Sequence, residues 1–188
     1  MKKGNIVEIK IDKIIFGGEG LGYYGDLAVF VPMSVPGDVL EIEIISFKKT
    51  YARGLIKKII TPGIDRVEGD KISFEDHHGC DFAMLKYNEQ LKYKKLMVED
   101  VLSGIGKVDL EKVEILDTVG AEEQFNYRNK VIEPFARKKG KVISGFFKKK
   151  SHEVFEVEEN ILQSKLANEI ISRIKELLNE AKLSVHLI

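Results

Sequence analysis

The first sixty residues alternate apolar and polar side chains with a period of two, which is typical of β-strands with one buried face. In Val39–Phe47, Leu40, Ile42 and Ile44 alternate with polar or outward-facing neighbours. The same pattern predicts strands at residues 6–11, 27–31 and 51–60, with a glycine-rich turn region at 17–25. About five strands in so short a stretch favour a small all-β barrel of the OB type. We place the end of this domain at residue 62, within the sequence Thr61-Pro62-Gly63.

The rest of the chain, residues 63–188, mixes helical and strand-like periodicity. Apolar residues at helical spacing predict a first helix over residues 81–105 and a second one from about Gln163. Short strand-like pieces at 113–115, 130–132, 142–143 and 154–157 lie between them, so this domain is expected to be α+β. The second helix carries its apolar residues on one face, which we expect to pack in the core: Leu166, Ile170, Ile174, Leu177 and Leu178.

Composition excludes several classes of protein. The chain has 188 residues, 44% of them hydrophobic and 32% charged, which is typical of globular proteins. It contains no apolar run long enough to span a membrane and begins without the apolar core of a signal peptide, so a cytoplasmic protein is expected. A single cysteine excludes an internal disulfide and any metal cluster held by four thiolates of this chain.

Charge is balanced overall but unevenly distributed. Thirty basic residues offset thirty acidic ones, yet residues 124–150 contain nine basic residues and one acid, Glu133. Aromatic residues are interleaved with these cations, a combination that allows cations to contact phosphates while rings stack on bases. We therefore predict RNA binding by this segment, against the alternative of an ordinary solvated surface. The predicted RNA-binding residues of this segment are Tyr127, Arg128, Lys130, Arg137, Lys138, Lys139, Lys148, Lys149 and Lys150.

Two shorter motifs suggest other chemistry. Gly20 to Gly25 spells G-x-G-x-x-G, but a strand rather than a helix is predicted after it, so we interpret it as a glycine-rich β turn and not as a dinucleotide site. His77, His78 and Cys80 could ligate zinc or form a cysteine nucleophile with its base. Adjacent ligands without a second pair make a structural turn the favoured interpretation, and we predict no metal site and no catalytic residue in this chain.

Several motifs together resemble one known family, the S-adenosylmethionine-dependent RNA uracil-5-methyltransferases that carry an N-terminal TRAM domain. In the barrel region the resemblance rests on Gly17 to Gly22, on Phe30-Val31-Pro32 and on Pro36-Gly37-Asp38. Further along, these elements follow in the family's order: Gly79-Cys80, Tyr87, Gln90-Leu91, Lys94, Tyr127-Arg128-Asn129-Lys130, Gly145-Phe146-Phe147 and Ser151-His152. The resemblance implies a TRAM-like OB barrel at 1–62 followed by a central α+β domain at 63–188 that recognises the RNA substrate. The barrel would supply a second RNA-binding surface through Lys48, Lys49 and Arg53.

The chain also departs from that family. Many members hold a [4Fe-4S] cluster with four cysteines, and the matching positions here are Lys71, His77, Cys80 and Asn160, so no cluster is expected. A glutamine of the family is replaced by Ala83. The family's methyltransferase domain, with the S-adenosylmethionine site and the nucleophilic cysteine, has no counterpart in these 188 residues.

The resemblance therefore implies the RNA-recognition portion of an RNA uracil-5-methyltransferase, which acts on tRNA or ribosomal RNA together with a C-terminal methyltransferase domain outside this chain. S-adenosylmethionine would be bound by that domain, and we predict no cofactor on this chain. The alternative is a stand-alone RNA-binding or chaperone module without catalytic activity. RNA is the predicted partner in both cases, and no membrane partner is expected.

Overall fold

The computed structural model describes residues 2–67, 80–147 and 152–182. Its first part is a closed five-stranded barrel made of β1 (Ile6–Ile14), β2 (Gly20–Tyr24), β3 (Leu27–Val31), β4 (Val39–Phe47) and β5 (Tyr51–Thr61). The strands follow the order β1-β2-β3-β5-β4. The β3–β5 pair is parallel and every other pair is antiparallel. The small barrel predicted from the alternation is therefore confirmed.

The barrel core contains the inward-facing residues of each strand. Ile9, Ile11, Val29, Val31, Leu40, Ile42, Ile44 and Ala52 form one buried cluster. Gly22 allows close approach of strands, since a Cβ there would lie 2.1 Å from the carbonyl oxygen of Lys10. The predicted turn region at 17–25 is wrong in its second half, where Gly20–Tyr24 forms β2, because glycines at alternate positions let this strand pair closely with β1.

A buried ion pair anchors the segment after the barrel. Asp38 follows the left-handed Gly37, which has φ 87°. Its carboxylate accepts hydrogen bonds from the backbone N–H groups of Val35 (2.7 Å) and Gly63 (2.8 Å) and from the Arg66 guanidinium. Pro36-Gly37-Asp38 is thus a turn whose acid holds the chain that leaves β5.

The first helix, α1 (Tyr87–Gly104), begins six residues later than predicted. Asp81 to Met84 form turns instead, and Met84 and Leu85 are buried in a second apolar cluster with Ile14, Val35 and Met97. A short 3-10 turn, Leu110–Lys112, follows α1.

The last part of the chain contains a three-stranded antiparallel sheet and a helix. The strands are β6 (Phe135–Lys138), β7 (Lys141–Phe147) and β8 (Val154–Glu156), in the order β6-β7-β8, and α2 (Lys165–Glu180) packs on β7. Ser164 caps α2 through a hydrogen bond from the N–H of Ala167. The strands predicted at 113–115 and 130–132 are wrong, because these segments lack a partner strand in the described part of the chain.

The apolar face of α2 is not in a core, contrary to expectation. None of its side chains is fully buried, although all of α2 is described. Leu166 is 65% exposed, Ile170 51%, Ile174 38% and Leu177 46%. Only Leu178 and other residues farther round the helix are half-buried.

The chain divides into two compact units, Met1–Gly120 and Ala121–Ile188. The barrel's last strand ends at Thr61, next to the boundary predicted at residue 62, but α1 groups with the barrel. The assignment of 63–188 to one α+β domain stays a prediction. In the described residues, no helix is both long and apolar enough to cross a membrane.

Candidate nucleic-acid interface

The β6–β7 hairpin of the second unit concentrates positive charge at its tip. Two residues connect the strands, Lys139 with φ 48° and Gly140 with φ 83°. Positive φ at both positions is the signature of a type I′ turn, whose twist matches that of the flanking strands. Arg137 donates a hydrogen bond from Nη1 to the carbonyl oxygen of Gly140 at 2.7 Å, which closes the turn further.

Four cations therefore project from one turn and the strand ends beside it. Arg137, Lys138, Lys139 and Lys141 are all exposed. Lys138 and Lys141 face each other directly across the two strands. Like charges in that position destabilise a hairpin. An anionic ligand at the tip would relieve this repulsion.

The Tyr127–Lys130 motif lies on an irregular segment that is held by backbone bonds. The N–H of Asn126 donates to the carbonyl oxygen of Ile161 at 2.9 Å, and the N–H of Arg128 donates to that of Leu162 at 2.8 Å. Tyr127 is 60% exposed and Lys130 is exposed as well. Because main-chain atoms hold the segment, the exposed side chains of Tyr127 and Lys130 are available to a ligand, whereas Arg128 is half-buried.

A buried amide network supports residues 160–163, the segment that holds this motif. Asn168 Oδ1 accepts hydrogen bonds from the backbone N–H of Asn160 (3.0 Å) and from Gln163 Nε2 (2.5 Å). Asn168 Nδ2 returns a hydrogen bond to the carbonyl oxygen of Asn160 at 3.1 Å. Asn160 and Gln163 are buried, so this network fixes residues 160–163 against the first turn of α2.

The predicted barrel residues lie at two places in the first unit. Lys48 and Lys49 are exposed in the turn between β4 and β5. Arg53 on β5 forms an ion pair with Glu19, and its guanidinium carbon lies 5.7 Å from the centre of the Phe30 ring. Arg53 is thus partly neutralised, which makes Lys48 and Lys49 the freer cations of this surface.

Sequence reasoning missed an aromatic patch on the barrel. Tyr23 on β2, Phe30 on β3 and Tyr51 on β5 face outward on neighbouring strands. The Phe30 and Tyr51 rings meet edge to face with their centroids 5.7 Å apart. The alternation of Leu27–Val31 could have indicated that Phe30 faces outward, but strand order was needed to bring the three rings together.

The remaining motifs are placed as follows. Gly20 to Gly25 lies in β2 and the turn into β3, so the glycine-rich β turn predicted there is wrong for Gly20–Tyr24, whereas the strand predicted after the motif is present as β3. Cys80 is partly exposed, and Asn160 is buried. Lys71, His77, His78 and Lys148 to Lys150 lie outside the described residues. Among the residues that are described, no three His, Cys, Asp or Glu side chains cluster as metal ligands would.

Comparison with known proteins agrees with the barrel's architecture. Residues 1–57 match the family model for the TRAM domain. A Fusobacterium nucleatum protein described as an uncharacterized RNA methyltransferase is 61% identical over 186 residues, which are 99% of this chain and 40% of that protein. A Clostridium acetobutylicum protein of the same description is 39% identical over 180 residues, 96% of this chain and 39% of that one. The chain thus spans about 40% of the length of these relatives.

A solved structure shares the fold. The Pyrococcus abyssi tRNA (uracil-54, C5)-methyltransferase in complex with S-adenosyl-L-homocysteine superimposes with a TM-score of 0.63 and 24% sequence identity. The match covers 94% of this chain and 38% of that one.

These findings confirm the resemblance drawn from the motifs. The chain carries a TRAM domain, and over nearly its whole length it is homologous to bacterial proteins described as RNA methyltransferases.

Proposed function

We propose that this chain is the RNA-binding, substrate-recognition portion of a longer S-adenosylmethionine-dependent RNA uracil-5-methyltransferase, which acts on tRNA or ribosomal RNA in the cytoplasm. The observation that carries the proposal is the combination of a TRAM barrel with an exposed basic hairpin on a chain homologous to RNA methyltransferases. The uracil specificity rests on the motifs of the sequence and on the description of the Pyrococcus abyssi protein.

Phosphate contacts are assigned to cations that the structure leaves exposed. Lys130, Lys138, Lys139 and Lys141 form no ion pair with any described residue, so their charge is available to an anion. Exposed Arg137, Lys48, Lys49 and Arg53 extend the set, half-buried Arg128 joins it through the motif, and Lys148 to Lys150 belong to it by sequence. Tyr127, exposed beside Arg128 and Lys130, is assigned to stack on a base. Such contacts position the RNA without reading its sequence.

Methyl transfer is assigned to the part of the longer protein that lies outside this chain. S-adenosylmethionine would supply the methyl group there. In this chain the G-x-G-x-x-G sequence forms β2 and the start of the turn into β3 and opens no helix, so it offers no row of free N–H groups to a phosphate.

The exposed face of α2 supports a longer protein over the stand-alone module. Leu166, Ile170, Ile174 and Leu177 form a continuous apolar stripe that is 38% to 65% exposed. The helix carries three basic and three acidic residues, so the stripe suits neither RNA nor an anionic membrane. The relatives of this chain are more than twice as long as the chain. We assign the cover of this apolar face to the part of the protein outside the chain.

The proposal is tested by RNA binding of a paired variant. In Arg128→Ala plus Lys130→Ala the backbone bond from Arg128 to Leu162, which holds the segment, is retained while both positive charges are removed. We expect weaker binding to a uridine-containing RNA hairpin, measured by fluorescence anisotropy. The control is Lys3→Ala plus Lys112→Ala, which removes two exposed lysines elsewhere. Equal affinity of the two double variants would contradict the proposal.

A further inference from the structure

The outer surface of three neighbouring barrel strands is built from alternate residues. Gly22, Val29 and Ala52 face the core, and a Cβ on Gly22 would lie 3.1 Å from Ile9. The residues beside them in sequence must therefore face outward. These form two rows across β2, β3 and β5: Tyr23, Ala28 and Tyr51 in one, and Leu21, Phe30 and Arg53 in the other.

The first row has a small residue between two large aromatic ones. Ala28 pairs with Tyr23 on one side and with Tyr51 on the other. Adjacent strands lie about 4.8 Å apart, so the backbone positions of the two tyrosines, two strands apart, are separated by roughly 10 Å. An aromatic ring in contact with a ring on each of its faces needs about 7 to 8 Å. The space above Ala28 is therefore wide enough for one flat ring.

The surroundings of this space suit a nucleotide. Phe30 lies two residues from Ala28 on the same face of β3, and its edge-to-face contact with Tyr51 limits the orientations that the Tyr51 ring can adopt. Arg53 lies next to Phe30. Lys48 and Lys49 lie in the turn that immediately precedes Tyr51. Tyr23 is 53% exposed, so its side chain is accessible to a ligand. Aromatic rings flanked by cations are the arrangement that binds unpaired bases and the adjoining phosphates.

The geometry points to a stacking site for one unpaired nucleobase above Ala28, between Tyr23 and Tyr51. This inference rests on the proposed RNA binding and names the RNA element that the barrel recognises: a single-stranded nucleotide, contacted through its flat faces and not through its phosphate alone. Stacking tolerates every base, so the site selects unpaired over paired RNA and not one base over another.

The test measures binding of fluorescein-labelled octauridine to the 188-residue chain. Ala28→Leu fills the space without a change of charge, and Tyr23→Ala removes one of its walls. We expect each to weaken binding about tenfold or more, with an unchanged slope of log affinity against log salt, because stacking releases no counterions. Tyr23→Phe keeps the ring and should restore affinity to within about twofold of the parent.

The matched control is Tyr24→Ala. Tyr24 neighbours Tyr23 in sequence and is 48% exposed, but it belongs to the opposite face of β2. Parental affinity of Ala28→Leu and Tyr23→Ala, or an equal loss in Tyr24→Ala, would overturn the stacking site. If the parent binds RNA with a steep salt dependence while Ala28→Leu binds as well as the parent, the stacking site fails and the proposed function stands. If the parent binds neither octauridine nor the uridine-containing hairpin at low salt, both fail.

Discussion

Arg66 holds Asp38 in a buried two-pronged ion pair that joins the barrel to the segment after it. Arg66 donates from Nη2 to Oδ2 of Asp38 at 2.6 Å and from Nε to Oδ1 at 3.1 Å. Their side chains are 4% and 0% exposed. Arg66 also donates to the carbonyl oxygen of Met33 at 3.0 Å. Both members of the pair are thus desolvated, and each depends on the other for compensation.

Removal of the arginine is expected to destabilise the fold strongly. Arg66→Met leaves the Asp38 carboxylate buried without its cation, and breaking one side of a buried pair costs about 3 to 5 kcal/mol. The free energy of unfolding from urea titration measures the loss. Lys57→Met removes an ion pair with Glu43 whose lysine is 50% exposed, and this control is expected to cost about 1 kcal/mol or less. Similar small losses in both variants would show that the Asp38 pair does not hold the fold.

The stability of the first unit is expected to fall at high pH in part through Tyr93. Burial, and then the hydrogen bond to Asp65, raises the pKa of Tyr93 well above its usual value. Its hydroxyl donates to Oδ2 of Asp65 at 2.7 Å. The unfolded chain loses this proton near pH 10 and the folded chain does not, so stability decreases as the pH rises above about 10.

Unfolding midpoints of the parent and of Tyr93→Phe across pH 8 to 11 test this. The parent should lose more stability above pH 10 than the variant does, since phenylalanine has no proton to release. Parallel curves for the two proteins would mean that Tyr93 ionises as easily in the folded chain as in the unfolded one.

The basic hairpin is expected to contribute to the salt dependence of RNA binding. Lys138→Gln plus Lys141→Gln removes two charges that face each other across β6 and β7. The slope of log affinity against log salt should fall by about 1 for each phosphate that the variant no longer neutralises. The same removal of repulsion should leave the hairpin as stable as before or more so. Anisotropy titrations at several salt concentrations, beside Lys3→Gln plus Lys112→Gln, give both slopes, and identical slopes would exclude the hairpin from the interface.

The apolar stripe of α2 is expected to be covered in the longer protein. Hydroxyl-radical footprinting should oxidise Leu166, Ile170, Ile174 and Leu177 readily in the 188-residue chain, where they are exposed. In a chimera that carries this chain in place of the matching 186 residues of the Fusobacterium nucleatum relative, their oxidation should fall. Ile170→Glu should restore oxidation of the neighbouring three, whereas Ser172→Glu, at an exposed polar position, should not.

Two other results would contradict this assignment of the stripe. Equal oxidation in the chain and the chimera would mean that the rest of the protein does not cover α2. Self-association of the 188-residue chain that Ile170→Glu abolishes, measured by light scattering, would assign the stripe to a second copy.

The barrel could be predicted because its signals are local. Alternation in Val39–Phe47 and turns at glycine and proline determine strands without knowledge of their partners. The strands expected at 113–115 and 130–132 failed because β-branched residues form a strand only where another strand pairs with them. In the same way, the periodicity of α2 identified its apolar stripe but not whether another part of the protein covers it.

The candidate site was predictable to the extent that charge is visible in sequence. Lys138 and Lys139 were found by their clustering, but their position on a type I′ hairpin depends on β6, which the apolar pattern does not reveal. The row of Tyr23, Ala28 and Tyr51 was not predicted, because Tyr23 and Tyr51 are 28 residues apart in sequence and become neighbours of Ala28 only through strand order.

The most direct test of the central claim is an anisotropy titration of the 188-residue chain with a uridine-containing RNA hairpin over a range of salt concentrations. We predict binding at low salt and a linear decrease of log affinity with log salt, with a slope that corresponds to several neutralised phosphates. No binding at low salt, or affinity that hardly changes with salt, would contradict the claim that this chain binds RNA through its basic residues.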